Sequence, residues 1–158
     1  MRRTSSKYVR HSDEGELLWL RPPTRSGHVF IKVDPTNTSS ARMAMGTQQV
    51  EVGGRIPVHR HDSQDEILFV YAGQGTVIVG DERAQFKAGT TVFIPQGVWH
   101  GVENASDEPL QVVWVVSPPG LEAMFREIGT PPGEEAKSLT PEEFAAVAER
   151  HGMRVKSH

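Results

Sequence analysis

From residue 41 to residue 117, turn-forming residues interrupt the chain at short and regular intervals. The breaks are Gly53-Gly54, Ala72-Gly73-Gln74-Gly75, Gly80-Asp81, Ala88-Gly89, Pro95-Gln96-Gly97 and the stretch from Asn104 to Pro109. The segments between them are rich in Val, Ile, Thr, Phe and Tyr, side chains that suit a pleated surface. They are Arg42–Val52, Glu66–Tyr71, Thr76–Val79, Arg83–Phe86, Thr91–Ile94, Val98–Glu103 and Leu110–Val116. Most are too short for a stable helix and the right length for a strand. Many short strands joined by tight turns form a sandwich or barrel, so the spacing predicts an all-β domain over 41–117.

The flanks read differently. Residues 1–40 form a polar arm with two strand-like pieces, Leu17–Leu20 and His28–Val33, separated by Pro22-Pro23 and Ser26-Gly27. Residues 118–158 turn helical. Leu121, Met124, Phe125 and Ile128 stand at i, i+3, i+4 and i+7, one stripe of a helix that follows Pro118-Pro119 and stops at Gly129. A second helix starts at Thr140-Pro141-Glu142-Glu143, a capping box with proline at the first helical position. Leu139 and Phe144 suit a hydrophobic staple there, and Gly152 marks the end. Both helices are expected to extend the same domain, packed on the barrel or on a partner subunit.

Composition removes several functions. The chain has no cysteine, so it offers no disulfide, no thiolate metal ligand and no thiol nucleophile. Lys and Arg number 17 against 20 Asp and Glu, a formal net charge of −3, which gives no basic face for nucleic acid. The longest apolar run lies near Val112–Val116, far short of the roughly 20 residues a membrane helix needs. The first residues carry Arg2, Arg3, Lys7 and Arg10 with no apolar stretch behind them, unlike a secretory signal. The expectation is a cytoplasmic protein with neither a membrane nor a nucleic-acid partner. Phosphate-loop, dinucleotide, zincin and serine-hydrolase motifs are absent from the sequence.

Histidine is the residue type with a pattern. His59 and His61 are two apart, so on a strand both imidazoles project from one face, whereas on a helix they would splay by about 200°. Glu66 follows after a turn at Asp62–Asp65, and His100 follows two residues into the segment behind Pro95-Gln96-Gly97. Neutral imidazole nitrogens with a carboxylate oxygen suit a first-row divalent metal. His11, His28, His151 and His158 belong to no such pattern and read as ordinary packed or surface residues. Asp65 is a rival carboxylate, but alternation puts it on the face opposite Glu66. Arg60 likewise alternates away from the two histidines. Leu68 and Val70 share the face of Glu66, and Met43 and Met45 share a face of the preceding segment. Phe69, Tyr71, Trp99 and Trp114 are expected to pack in the core. The imidazoles need hydrogen-bond acceptors behind them, and Gln48, Gln49 and Gln64 are available by type.

These residues carry a resemblance. The sequence resembles the cupins, whose first motif is G-x5-H-x-H-x(3,4)-E-x6-G and whose second is G-x5-P-x-G-x2-H-x3-N. Gly53, His59, His61, Glu66 and Gly73 match the first, and Gly89, Pro95, Gly97, His100 and Asn104 match the second. The stretch Ser117-Pro118-Pro119-Gly120-Leu121-Glu122 and the helices after it are similar to small quercetinase-like bacterial cupins. The resemblance implies a double-stranded β-helix, a small jelly-roll barrel with C-terminal helices. It implies one divalent transition metal (Fe, Mn, Ni, Co or Zn) on His59, His61, Glu66 and His100, with Asn104 a turn former. It also implies a homodimer, with the Leu121–Ile128 stripe or the arm at the interface.

Four protein ligands leave about two positions open on an octahedral metal, as catalysis requires. The reading this favours is a metal-dependent dioxygenase acting on a small organic, aromatic or enolic substrate, with Glu66 also able to serve as a base if it detaches from the metal. A non-redox isomerase, lyase or cyclase, and a non-catalytic small-molecule-binding module, are the alternatives.

Overall fold

The structure, a computed structural model, describes residues 6–21 and 27–157. The Pro22-Pro23 break and His158 lie outside the described residues. Two antiparallel sheets form. The larger contains β1 (Glu16–Trp19), β2 (His28–Val33), β3 (Ala44–Val50), β5 (Asp65–Ala72), β8 (Thr91–Ile94) and β10 (Leu110–Ser117), in the order β1-β2-β3-β10-β5-β8. The smaller contains β4 (Arg55–His61), β6 (Gln74–Val79), β7 (Glu82–Lys87), β9 (His100–Glu103) and β11 (Met153–Val155), in the order β11-β4-β9-β6-β7. Two helices follow the barrel strands, α1 (Leu121–Ile128) and α2 (Pro141–Arg150). This is the predicted jelly-roll with short C-terminal helices, and β1 and β2 extend its larger sheet.

Period-two alternation decides what each strand buries. In β10, Leu110, Val112, Trp114 and Val116 turn inward and the residues between them turn out. In β5, Glu66, Leu68 and Val70 turn inward, which forces Ile67, Phe69 and Tyr71 outward. Phe69 and Tyr71 are therefore 38% and 47% exposed and do not belong to the core, contrary to expectation. Trp114 does fill the core, 1% exposed at the middle of the larger sheet. Gly46 makes room for it: the two are register partners, and a Cβ on Gly46 would stand 2.5 Å from the indole.

Two strands fall outside the predicted segments. β4 carries the paired histidines, and its polar residues and Pro57 mask it, although the i, i+2 spacing of His59 and His61 implies extended chain. β11 is three residues long and pairs with β4 through Met153↔His61 and Val155↔His59. It exists because α2 ends at His151 and Gly152, at φ 72°, reverses the chain toward β4.

The helices close the open side of the sandwich. The whole apolar stripe of α1 is buried within its own chain, so it offers no surface to a partner. Its opposite face is tied down by Arg126, which donates to Glu16 of β1 at 3.0 Å and to the fully buried Asp34 after β2. α2 has the full capping box: Thr140 Oγ1 accepts from Glu143 N at 3.1 Å, and Thr140 N donates to Glu143 Oε2 at 2.8 Å. Asn104 closes the turn before β10. Its amide donates to Val50 O and Glu108 O, and its oxygen accepts from Ser106, the turn-forming role expected of it.

Candidate metal centre

His59 and His61 project together from β4, as their spacing requires. β9 runs beside β4 with His100 directly opposite His59, their rings 4.2 Å apart between centroids. The larger sheet then contributes Glu66 from β5, facing across the barrel interior. One candidate ligand atom from each of these four buried residues lies within 4.8 Å of the other three. Glu66 Oε2 is 3.1 Å from His61 Nε2 and 2.8 Å from His100 Nε2. Asp65 faces outward as predicted and accepts from Gln96 N at 3.0 Å. Arg60 also faces away, its guanidinium 4.8 Å from the Trp99 ring centre.

The hydrogen bonds behind the rings say what this cluster can hold. His59 Nδ1 is 2.6 Å from Pro57 O, and His100 Nδ1 is 3.0 Å from Val98 O. A carbonyl can only accept, so both Nδ1 atoms carry hydrogen. In a neutral ring this leaves Nε2 with a lone pair. For His100 that lone pair aims at a carboxylate oxygen. Two acceptors at 2.8 Å repel unless a cation stands with them. Burial pushes the His59 pKa far below its ordinary value, and His100 and His61 add to this, so His59 is a neutral ligand. Burial alone would raise the Glu66 pKa, but the contacts with His100 and His61 hold it well below the ordinary range and keep it ionised. Three imidazoles and one ionised carboxylate form a nitrogen and oxygen donor set that suits one divalent metal ion.

The glutamines do other work than the sequence suggests. The acceptors behind His59 and His100 are backbone carbonyls. Gln64 donates to Pro118 O at 2.8 Å, and Gln49 accepts from Gln111 on the outer face of the larger sheet. His61 Nδ1 has no partner among the described residues.

His59, Glu66 and His100 open into a cavity of about 40 Å3. Its floor includes Leu68, as alternation predicts, and its roof is Leu121, Met124, Phe125 and Ile128 of α1 with Phe144 of α2. Met153 of β11 also lines it. The sequence marks these helix residues as an apolar stripe but not as the roof of this site. Met43 is instead 48% exposed. Gln48 is the remaining polar wall residue: it lines the cavity, is 7% exposed, and its carboxamide has no hydrogen bond among the described residues.

Comparison with known proteins agrees with this geometry. A cupin-domain family model matches residues 46–116. An uncharacterized protein of Streptomyces coelicolor, SCO3923, is 35% identical over 77 residues, 49% of this chain and 71% of that protein. The tetracenomycin polyketide synthase protein TcmJ of Streptomyces glaucescens is 22% identical over 117 residues, 74% of this chain and 78% of that protein. Among solved structures, the polyketide cyclase RemF of Streptomyces resistomycificus superposes with a TM-score of 0.62 at 16% identity, covering 86% of this chain and 89% of that one. At that identity the likeness is one of fold. With both histidine motifs in register, the two-sheet barrel around them and the matching family model, the chain belongs to the cupin superfamily.

Proposed function

We propose that this cupin is a metal-dependent dioxygenase acting on a small, mainly apolar organic molecule with an enolic or aromatic hydroxyl group. The observation that carries this reading is the placing of four nitrogen and oxygen donors at the end of a buried apolar cavity with one unpartnered amide in its wall. A metal, which His59, His61, Glu66 and His100 would hold, would supply Lewis acidity and, if redox-active, a path for electrons to O2.

The chain's own residues then have distinct tasks. Pro57 O and Val98 O hold the rings of His59 and His100 in one orientation. Glu66 turns Oε2 toward His61 and His100, which leaves Oε1 as the atom that accepts a hydrogen bond from the substrate hydroxyl. Leu68, Met124 and Phe125 exclude water from the reacting groups, which strengthens every charge interaction there. Gln48 offers one donor and one acceptor, enough to orient a flat ligand by a second oxygen. About 40 Å3 holds two or three waters, so a substrate enters when the α1–α2 roof shifts outward.

The test is oxygen uptake by protein loaded separately with Fe(II), Mn, Ni and Co, across a panel of enols, catechols and flavonols. Uptake that depends on both metal and substrate, and is lost in His59→Ala, is the expected result. Substrate turnover that proceeds equally well without O2 would replace this reading with a non-redox one. The name of the Streptomyces glaucescens relative, a polyketide synthase protein, favours a polyketide-like substrate, and with it a non-redox reading in which a bound metal would serve as a Lewis acid and no oxygen would be consumed.

A further inference from the structure

The cavity beside Glu66 is too small for the molecule it is expected to act on. Sites for small organic ligands run to roughly 300–1,000 Å3, against about 40 Å3 here. A second cavity, of about 450 Å3, lies between the first half of β4 and the N-terminal end of α2. Ile56, Pro57 and Phe144 line both cavities, so these side chains form the partition between them. Pro57 also orients His59 through its carbonyl, which puts the partition one contact away from the metal-binding cluster.

Phe144 is the part of the partition that can move. Ile56 and Pro57 sit in β4, which β9 and β11 flank on either side. Phe144, 5% exposed, stands just after the capping box of α2, and that box closes within the helix itself. The stretch before it, 132–138, is exposed throughout. The opposite end of α2 is the anchored one: Arg150 and His151 both bind Glu127 of α1, and β11 pairs with β4 directly afterwards. A new rotamer at Phe144, or a slight tilt of the capped end, joins the two cavities.

The outer cavity has its own chemistry. Val58, Ile78, Ala145 and Val155 give it apolar walls beside the partition. Arg55 and Lys156 also line it, and their side chains form no hydrogen bond or ion pair among the described residues. Glu103 is the register partner of Arg55 but is taken by Arg83 at 2.7 Å. Glu142, the other lining carboxylate, stands in the first turn of α2, where the positive end of the helix offsets its charge. The rim therefore favours an anion.

We propose that the two cavities are one binding site divided by Phe144, and that its ligand is an elongated molecule with an apolar body and an anionic end. The reacting head enters the metal cavity. The body displaces Phe144 and lies against Val58 and Val155, and the anionic end reaches Arg55 and Lys156. This rests on the metal-dependent function proposed for the cluster, and narrows its substrate from an apolar molecule to an amphipathic one.

Calorimetric titration of the metal-free chain with ω-phenylalkanoates, from phenylacetate to phenyloctanoate, tests this. Kd is expected to fall at least about twofold with each added methylene, since each buries apolar surface. Phenyloctylamine should bind at least about fivefold more weakly than phenyloctanoate. Arg55→Gln/Lys156→Gln should abolish that preference. Ala145→Trp, which fills the outer cavity from a half-buried position, should weaken phenyloctanoate at least about tenfold with circular dichroism unchanged. Phe93→Ser, on the outer face of the larger sheet, should change nothing. Nuclear Overhauser contacts in the wild type should place the phenyl ring against Met124, which lines only the metal cavity, and the alkyl chain against Val155, which lines only the outer one. Affinity independent of chain length, equal binding of the amine, binding unmoved by Ala145→Trp, or phenyl contacts confined to Val155 would each overturn the proposal. Failed oxygen uptake with these results intact would reject the dioxygenase reading alone, and the reverse would reject the divided site alone.

Discussion

His59 and His100 are each fixed by a carbonyl two residues upstream, Pro57 O and Val98 O. Their tautomers are thus set by backbone, and substitution of either ring should empty the site without unfolding the barrel. His59→Ala and His100→Ala are each expected to lower bound metal at least about tenfold, measured by elemental analysis after dialysis. Retention of one metal per chain in either variant would remove that residue from the ligand set. Gln48 makes the opposite kind of prediction. Its carboxamide faces the cavity and not a hydrogen-bonding neighbour, so Gln48→Leu should leave thermal stability equal or slightly raised. The same change should raise KM about 10- to 100-fold for a substrate with a second oxygen, with kcat less affected. A KM unmoved by Gln48→Leu would mean that the amide only fills space. The four cluster residues are legible in sequence because strand alternation has a period of two and the motif spacing repeats it. The carbonyls behind the rings are not, because every residue carries a carbonyl and only the fold says which one a side chain meets. Gln48 differs from Gln49 by one position, which is the whole difference between cavity and outer face.

At the scale of elements, the strand rhythm and both helices follow from local chemistry, whereas the roof does not. The stripe of α1 states that Leu121, Met124, Phe125 and Ile128 will be buried. That they are buried over Glu66 depends on where the chain goes after β10. The tie that holds α1 in place is equally non-local. Arg126 reaches back to Glu16 and to the fully buried Asp34, which also accepts from Thr36 N at 2.9 Å and from Thr36 Oγ1 at 2.6 Å. Burial by itself would raise the Asp34 pKa, but the hydrogen bonds from Thr36 and Arg126 and the guanidinium charge outweigh it and lower it. Arg126→Ala would leave a buried carboxylate supported by Thr36 alone. A loss of about 2–3 kcal/mol is expected by urea denaturation at neutral pH, less than the roughly 3–5 of a wholly unsupported pair. A depressed folded pKa contributes stability that is fully present above the unfolded value of about 3.9 and fades as pH falls through the lower folded value. The gap between wild type and Arg126→Ala should therefore narrow on acidification below about pH 4. A gap constant down to pH 2 would place the effect in packing and not in the ion pair.

At the scale of the molecule, the cluster joins what the fold keeps apart. His59, His61 and His100 belong to the smaller sheet, and Glu66 belongs to the larger. A cation held by all four cross-links the two halves of the barrel, and such a cation binds the folded chain far better than the unfolded one. At free metal about 100 to 1,000 times the dissociation constant, that preference adds about 3–4 kcal/mol to stability. In a chain of this size each kcal/mol moves Tm by roughly 2–4 °C, so chelation should lower Tm by about 5–15 °C. Glu66→Gln separates a ligand that spans the sheets from one that serves only as a base. It keeps the shape of the side chain but removes the anion that His61 and His100 face. If the spanning contact matters, the metal-dependent rise in Tm should fall to less than half in this variant. A base-only role predicts an unchanged rise with activity lost. Scanning calorimetry of wild type and Glu66→Gln, each with metal and with chelator, distinguishes the two directly.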